Sequence, residues 1–96
     1  MEAINVSVTD SPPRLMNTPE LIEYWLIERV AQLARVDRDA IESTQPFSYY
    51  ALDSVDAAGL TAELEDALSI DLEPTLLWDY PTIESLALYL AQEMAR

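Results

Sequence analysis

Asp53 and Ser54 are the pair of neighbours in this 96-residue chain best placed to do chemistry. Read as the start of a helix, Asp53-Ser54-Val55 sets a hydroxyl where backbone N–H groups lack partners and the helix dipole is positive. A phosphodiester on that hydroxyl would be stabilised by those N–H groups, and a first-turn serine projects where a modifying enzyme can reach it. The alternative is that both residues are only helix caps, their commonest role at such a place. Three residues cannot decide between the two. The rest of the chain narrows the chemistry by what it lacks. Histidine and cysteine are both absent, which removes the usual general base near neutral pH, the best nucleophile, thiolate metal sites and disulfides. Carboxylates could still work as acid–base pairs, but nothing sets two of them in an apolar pocket with a recognisable partner. Catalysis by the chain itself is not expected.

The elements that must position Ser54 can be read from periodicity and caps. Residues 1–16 contain Ser11-Pro12-Pro13 and no sustained period, so a flexible lead-in is expected there and a domain over 17–96. Thr18-Pro19-Glu20 has the chemistry of a helix start, and Ile22, Trp25, Leu26, Val30 and Leu33 form a core stripe as far as about Arg35. A long connection over 36–52 carries the apolar anchors Ile41, Phe47 and Tyr50. The second helix should run from Ser54 to about Leu68, burying Ala57, Leu60, Leu64, Ala67 and Leu68. A very short helix around Thr75 to Asp79 is stopped by Pro81, and Thr82 caps a last helix to about Met94. No strand pattern of useful length occurs, so the expected fold is all-α: three main helices and a short one.

One face of the second helix is unexpected. Val55, Ala58, Gly59 and Ala62 gather opposite its buried side, rimmed by Asp56, Glu63, Glu65 and Asp66. A mid-helix glycine costs about 1 kcal/mol relative to alanine, which suits close approach of another surface. A smooth, acid-rimmed patch fits transient docking; packing of these small residues beneath the 36–52 connection is the competing account. The charge is compatible with either. The net charge is −13, and from Asp39 to Glu93 there are 12 acidic residues and no Lys or Arg. Such a field repels nucleic acid and anionic lipid and steers the chain towards basic surfaces, although plain solvation also accounts for the charge taken alone. With 50% hydrophobic and 24% charged residues, a soluble fold is expected. No apolar run approaches the roughly 18 residues of a membrane span, and no secretory signal opens the chain. The expectation is a cytoplasmic protein, with Met1 and an end just past the last helix favouring a free-standing one.

The run Pro46-Phe47-Ser48-Tyr49-Tyr50-Ala51-Leu52-Asp53-Ser54-Val55, followed about twenty residues later by Thr75-Leu76-Leu77-Trp78-Asp79-Tyr80-Pro81-Thr82-Ile83, resembles the phosphopantetheine-binding carrier domains, above all acyl carriers of polyketide synthases. The likeness extends over about Thr18 to Met94. It implies an acyl-carrier-like helical bundle that is not an enzyme. Ser54 would carry a covalent 4′-phosphopantetheine, joined by a phosphopantetheinyl transferase with Asp53 helping to bind the Mg²⁺ of that transfer. The arm would hold fatty acyl or polyketide intermediates as thioesters. Val55 and Ala62 match positions that partners of this family touch, and Asp56, Ala58, Gly59, Glu63 and Asp66 complete the expected docking face of a monomer. Two positions depart from the pattern: Ala51 and Ser69 stand where glycine is usual. Asp53, rather than His, before Ser54 resembles acyl more than peptidyl carriers. Gly59-Leu60-Thr61 and Pro74-Thr75-Leu76-Leu77 are similar to carriers loaded by fatty acyl-AMP ligases in lipid-initiated polyketide pathways. A peptidyl carrier and a non-carrier acidic helical adaptor are the competing readings.

Overall fold

A computed structural model of the chain describes residues 17–95; the lead-in expected over 1–16 lies outside the described residues. Helix α1 (Pro19–Ala34) starts where its cap dictates. The Thr18 hydroxyl accepts the Leu21 N–H at 3.2 Å, Pro19 occupies the turn where its missing N–H is harmless, and Glu20 lies at the positive end of the dipole. The helix closes on Arg35 in the left-handed region, with the Val36 N–H returning to the Ala31 carbonyl at 3.0 Å. Ile22, Leu26 and Val30 are fully buried, but Leu33 is 37% exposed and Ala31 is buried in its stead. Steps of four residues drift by about 40° around a helix. By the last turn the buried side has therefore rotated away from Leu33.

The connection over 36–52 is more ordered than its polar punctuation suggests. It contains two 3₁₀ turns, Arg38–Ala40 and Phe47–Tyr50. Ile41 and Phe47 enter the core. The Tyr50 hydroxyl accepts the Glu42 N–H at 2.6 Å and lies 3.1 Å from the Glu42 carbonyl, which pins one end of the loop to the other. The Phe47 N–H donates to the Pro81 carbonyl at 2.8 Å, and the Glu84 N–H to the Ser43 carbonyl at 2.9 Å. These bonds stitch the loop to the start of the last helix through a single β-bridge, Pro46 to Thr82; no longer strand occurs among the described residues.

Helices α2 (Ser54–Leu68), α3 (Leu76–Asp79) and α4 (Ile83–Met94) follow. Pro81 has no N–H to continue α3. Thr82 and Ser85 cap α4 reciprocally, Oγ1 accepting the Ser85 N–H at 3.0 Å and Ser85 Oγ the Thr82 N–H at 3.2 Å. The side chains of Ile22 and Leu26 from α1, Leu60 and Leu64 from α2, and Ile83, Leu86 and Leu90 from α4 are fully buried in one core. Each such side chain contributes roughly 1.5–3 kcal/mol. Ala57 and Ala67 are only half-buried, and Thr61 takes an inner position instead. Its hydroxyl donates to the Ala57 carbonyl at 3.0 Å, so burial leaves it satisfied. No helix among the described residues is long and apolar enough to cross a membrane.

Both departures from glycine fall at left-handed backbone: Ala51 has φ 58° and Ser69 φ 57°. A side chain there costs about 1–2 kcal/mol. Ala51→Gly is therefore expected to stabilise the fold by roughly 0.5–1 kcal/mol once the greater chain entropy of glycine is set against the relief, read as a higher melting temperature. Glu23 offers a second test. Burial first, then the neighbouring charges of Glu84 and Glu20, raise its carboxyl above the usual range. With its folded value above its unfolded one, protonation favours the fold, and that stability is lost as pH rises through the folded value. Glu23→Gln should melt higher than the native chain at pH 7 and together with it at a pH below the normal carboxylate range.

Candidate functional site

The site is built around the first turn of α2. Asp53 Oδ1 accepts the Asp56 N–H at 2.8 Å, Asp56 Oδ2 accepts the Asp53 N–H at 3.3 Å, and the Ala57 N–H reaches the Asp53 carbonyl at 2.9 Å. The capping box satisfies the N–H groups of Asp53 and Asp56, and the first backbone bond of the helix satisfies that of Ala57. The N–H groups of Ser54 and Val55 and the Ser54 hydroxyl have no partner among the described residues. Ser54 is exposed. Its hydroxyl therefore stands beside two free donors at the positive end of a fifteen-residue helix, a setting that accommodates a phosphodiester.

A cavity of about 170 Å³ opens beside it, lined by Ser54 with Phe47, Leu52, Ala57, Leu77 and Trp78, and by Ser48 and Asp53. The lining comes from the 3₁₀ turn, α2 and α3, which the stitched loop holds together. An exposed hydroxyl, two unpaired donors and an adjoining apolar cavity fit a phosphate-linked arm. Asp53 is exposed, with one carboxylate oxygen in the cap and the other without a partner among the described residues. No group of three or more carboxylates there could hold a metal. A Mg²⁺ at Asp53 would find one unpaired carboxylate oxygen there, and magnesium commonly takes its other ligands from water and substrate phosphates.

The α2 residues expected to form a docking face divide into free and committed ones. Val55, Ala58, Gly59, Ala62, Glu63 and Asp66 are exposed. A Cβ built on Gly59 meets nothing within 4 Å, so the small residues do not pack beneath the 36–52 connection. Three acids on or beside this face do work inside the chain. Asp56 closes the capping box, Glu65 Oε2 accepts the Leu72 N–H at 2.8 Å and fixes the turn after α2, and Glu63 pairs with Arg29 of α1 at 3.4 Å. Asp56 is therefore part of the helix start as well as of the surface.

Two residues of this region are not singled out by the sequence reading. Val55 at 76%, Trp78 at 74% and Tyr49 at 67% are the most exposed large apolar side chains among the described residues. Trp78 lines the cavity, while Val55 and Tyr49 adjoin its lining residues Ser54 and Ser48. The run Leu76-Leu77-Trp78 reads as uniformly apolar; in a helix of one turn only Leu76 and Leu77 can face the core, which leaves Trp78 outside.

Comparison with known proteins agrees with this geometry. Residues 25–90 match the family model described as the phosphopantetheine attachment site. The chain is 33% identical over 88 residues to erythronolide synthase EryA3 of Saccharopolyspora erythraea, covering 92% of this chain and 3% of that protein. The curated relatives it matches are thus far longer, and the chain spans only a few per cent of them. Among solved structures, a free-standing peptidyl carrier protein from Acinetobacter baumannii superposes with a TM-score of 0.78 at 41% identity, over 81% of this chain and 98% of that one. The acyl carrier protein Asl1650 of Anabaena, described as having a variant phosphopantetheinylation-site sequence, gives 0.75 at 39%, over 80% and 88%.

The open space above Gly59 has a measurable consequence. Gly59→Ala is expected to raise stability by about 0.5–1 kcal/mol, since alanine is the better helix former and meets no neighbour. Thermal unfolding monitored by circular dichroism checks it.

Proposed function

The chain belongs to the phosphopantetheine attachment-site family, and on that premise we propose that it is an acyl carrier whose 4′-phosphopantetheine is attached at Ser54. Domains of this family carry the arm covalently on a serine. One observation carries the assignment to Ser54: it is an exposed hydroxyl at the start of α2, next to two unpaired N–H groups and an apolar cavity. When bound, the arm supplies a terminal thiol that holds cargo as a thioester. The chain's own residues do the rest. The free N–H groups of Ser54 and Val55 offset the phosphodiester charge, Asp53 offers a carboxylate oxygen to Mg²⁺ during attachment, and the Asp53–Asp56 box keeps the helix end in place. The Ser54 hydroxyl makes no hydrogen bond to a described side chain, and its activation is assigned to the transferase.

Partners meet the surface formed by Val55, Ala58, Gly59, Ala62, Glu63 and Asp66 together with Tyr49 and Trp78. Small residues permit close approach and exposed apolar side chains give contact area. The acids quicken encounter with basic surfaces without making it long-lived. Residues 17–96 are assigned to the carrier domain, which would act as a monomer. The relatives among polyketide synthases support acyl cargo, with a fatty acyl-AMP ligase as the loading enzyme and acyl-processing enzymes downstream. Peptidyl cargo is the second reading, favoured by the similarity to the Acinetobacter peptidyl carrier.

Incubation with coenzyme A, Mg²⁺ and a broad-specificity phosphopantetheinyl transferase should add one phosphopantetheinyl mass, and Ser54→Ala should add none. No increment under conditions that modify a control carrier defeats the proposal. The loaded protein then separates the cargo classes: acylation by a fatty acyl-AMP ligase supports the first, and aminoacylation by an adenylation domain the second.

A further inference from the structure

Of the three arginines among the described residues, Arg29 of α1 pairs across to α2, whereas Arg38, in the 3₁₀ turn after α1, pairs with Glu28 of α1 and lies over Tyr24. Arg29 Nε lies 3.4 Å from Glu63 Oε1, close enough for an ion pair, yet it is shut off from solvent without an aligned hydrogen bond. Its own helix holds it independently. Nη1 donates to Gln32 Oε1 at 2.9 Å, and the guanidinium lies 5.2 Å from the Trp25 ring centroid. The result is a positive charge fixed beside an acidic face, while the Glu63 side chain remains 53% exposed to any approaching partner.

We infer that Arg29 is a positioning residue that limits how tightly the α2 face binds basic partners, by holding Glu63 and subtracting from the negative potential of Glu63 and Asp66. The inference rests on the reading of α2 as the docking face. A partner's lysine or arginine must share Glu63 with Arg29 and approach that charge at short range. Exposed ion pairs are individually weak and screened by salt, so the effect is severalfold and disappears at high ionic strength. This suits a protein that must leave each partner quickly.

The test is the steady-state loading of Ser54 by the transferase, with coenzyme A and Mg²⁺, at low and high salt. Arg29→Gln is expected to lower KM for the carrier about two- to fivefold at low salt with kcat unchanged, and Arg29→Lys to stay near the native value. The gain should shrink in an Arg29→Gln, Glu63→Gln double variant. Circular dichroism establishes that each variant is folded. Should Arg29→Gln unfold, Arg29→Met, which keeps an unbranched stem over Trp25 without the charge, takes its place. Loading with an unchanged or raised KM in the charge-neutral variant overturns the role of Arg29 and leaves the carrier reading standing. Failure of the native chain to load at all removes both.

Discussion

The reciprocal hydrogen bonds between Asp53 and Asp56 decide where α2 begins, and the site depends on that choice. Serine caps a helix about as well as aspartate does, so a start one residue later, with Ser54 as the cap, would be locally reasonable. It would also tie up the hydroxyl. Asp53 prevails because the residue three places on is Asp56, whose carboxylate reaches back to close the box. Ser54 is thereby moved into the first turn, where its own N–H and hydroxyl have nothing among the described residues to bind. Two acids give up part of their surface role so that one hydroxyl can remain unengaged.

The cap alone would not make a cavity. That comes from the 36–52 connection, which crosses the bundle and is fastened at three places: to itself by Tyr50, and to the start of α4 through Phe47 and Ser43. With Phe47 buried as the wall of the cavity and Leu77 supplied by α3, the opening next to Ser54 is bounded by segments far apart in sequence. The Pro81-Thr82 step serves twice, ending α3 and giving the loop its carbonyl partner. The two motifs quoted from the sequence, at Ser54 and at Tyr80 to Ile83, are two sides of one structural joint.

What was legible in the sequence was mostly what is local. Thr18, Asp53 and Thr82 announce the starts of the three main helices because a cap is written in adjacent residues, and the observed starts agree. Core faces were legible where the spacing is tight, as in Ile83, Leu86, Ala87 and Leu90. Leu33 was misread because the buried side of α1 turns along its length, and which neighbour waits at the far end is a tertiary fact. Thr61 hides its polarity by bonding Ala57, four residues back, which no hydrophobic pattern reveals. The pairing of Arg29 with Glu63 and the outward position of Trp78 likewise required the packing of other elements. The exposed stripe at Val55, Ala58, Gly59 and Ala62 was visible as an anomaly, although only the bundle shows that none of the described residues covers it.

Ala51 and Ser69 stand just before and just after α2, each a non-glycine held in the left-handed well. Glycine at either place would let the helix pivot through neighbouring conformations at little cost. A side chain removes those neighbouring wells, so the helix sits in one orientation or detaches from it, without a graded swing between. The serine-bearing helix is accordingly a stiff platform. On the proposed carrier reading, reach beyond Ser54 would reside in the arm, while the folded chain supplies a fixed point of departure.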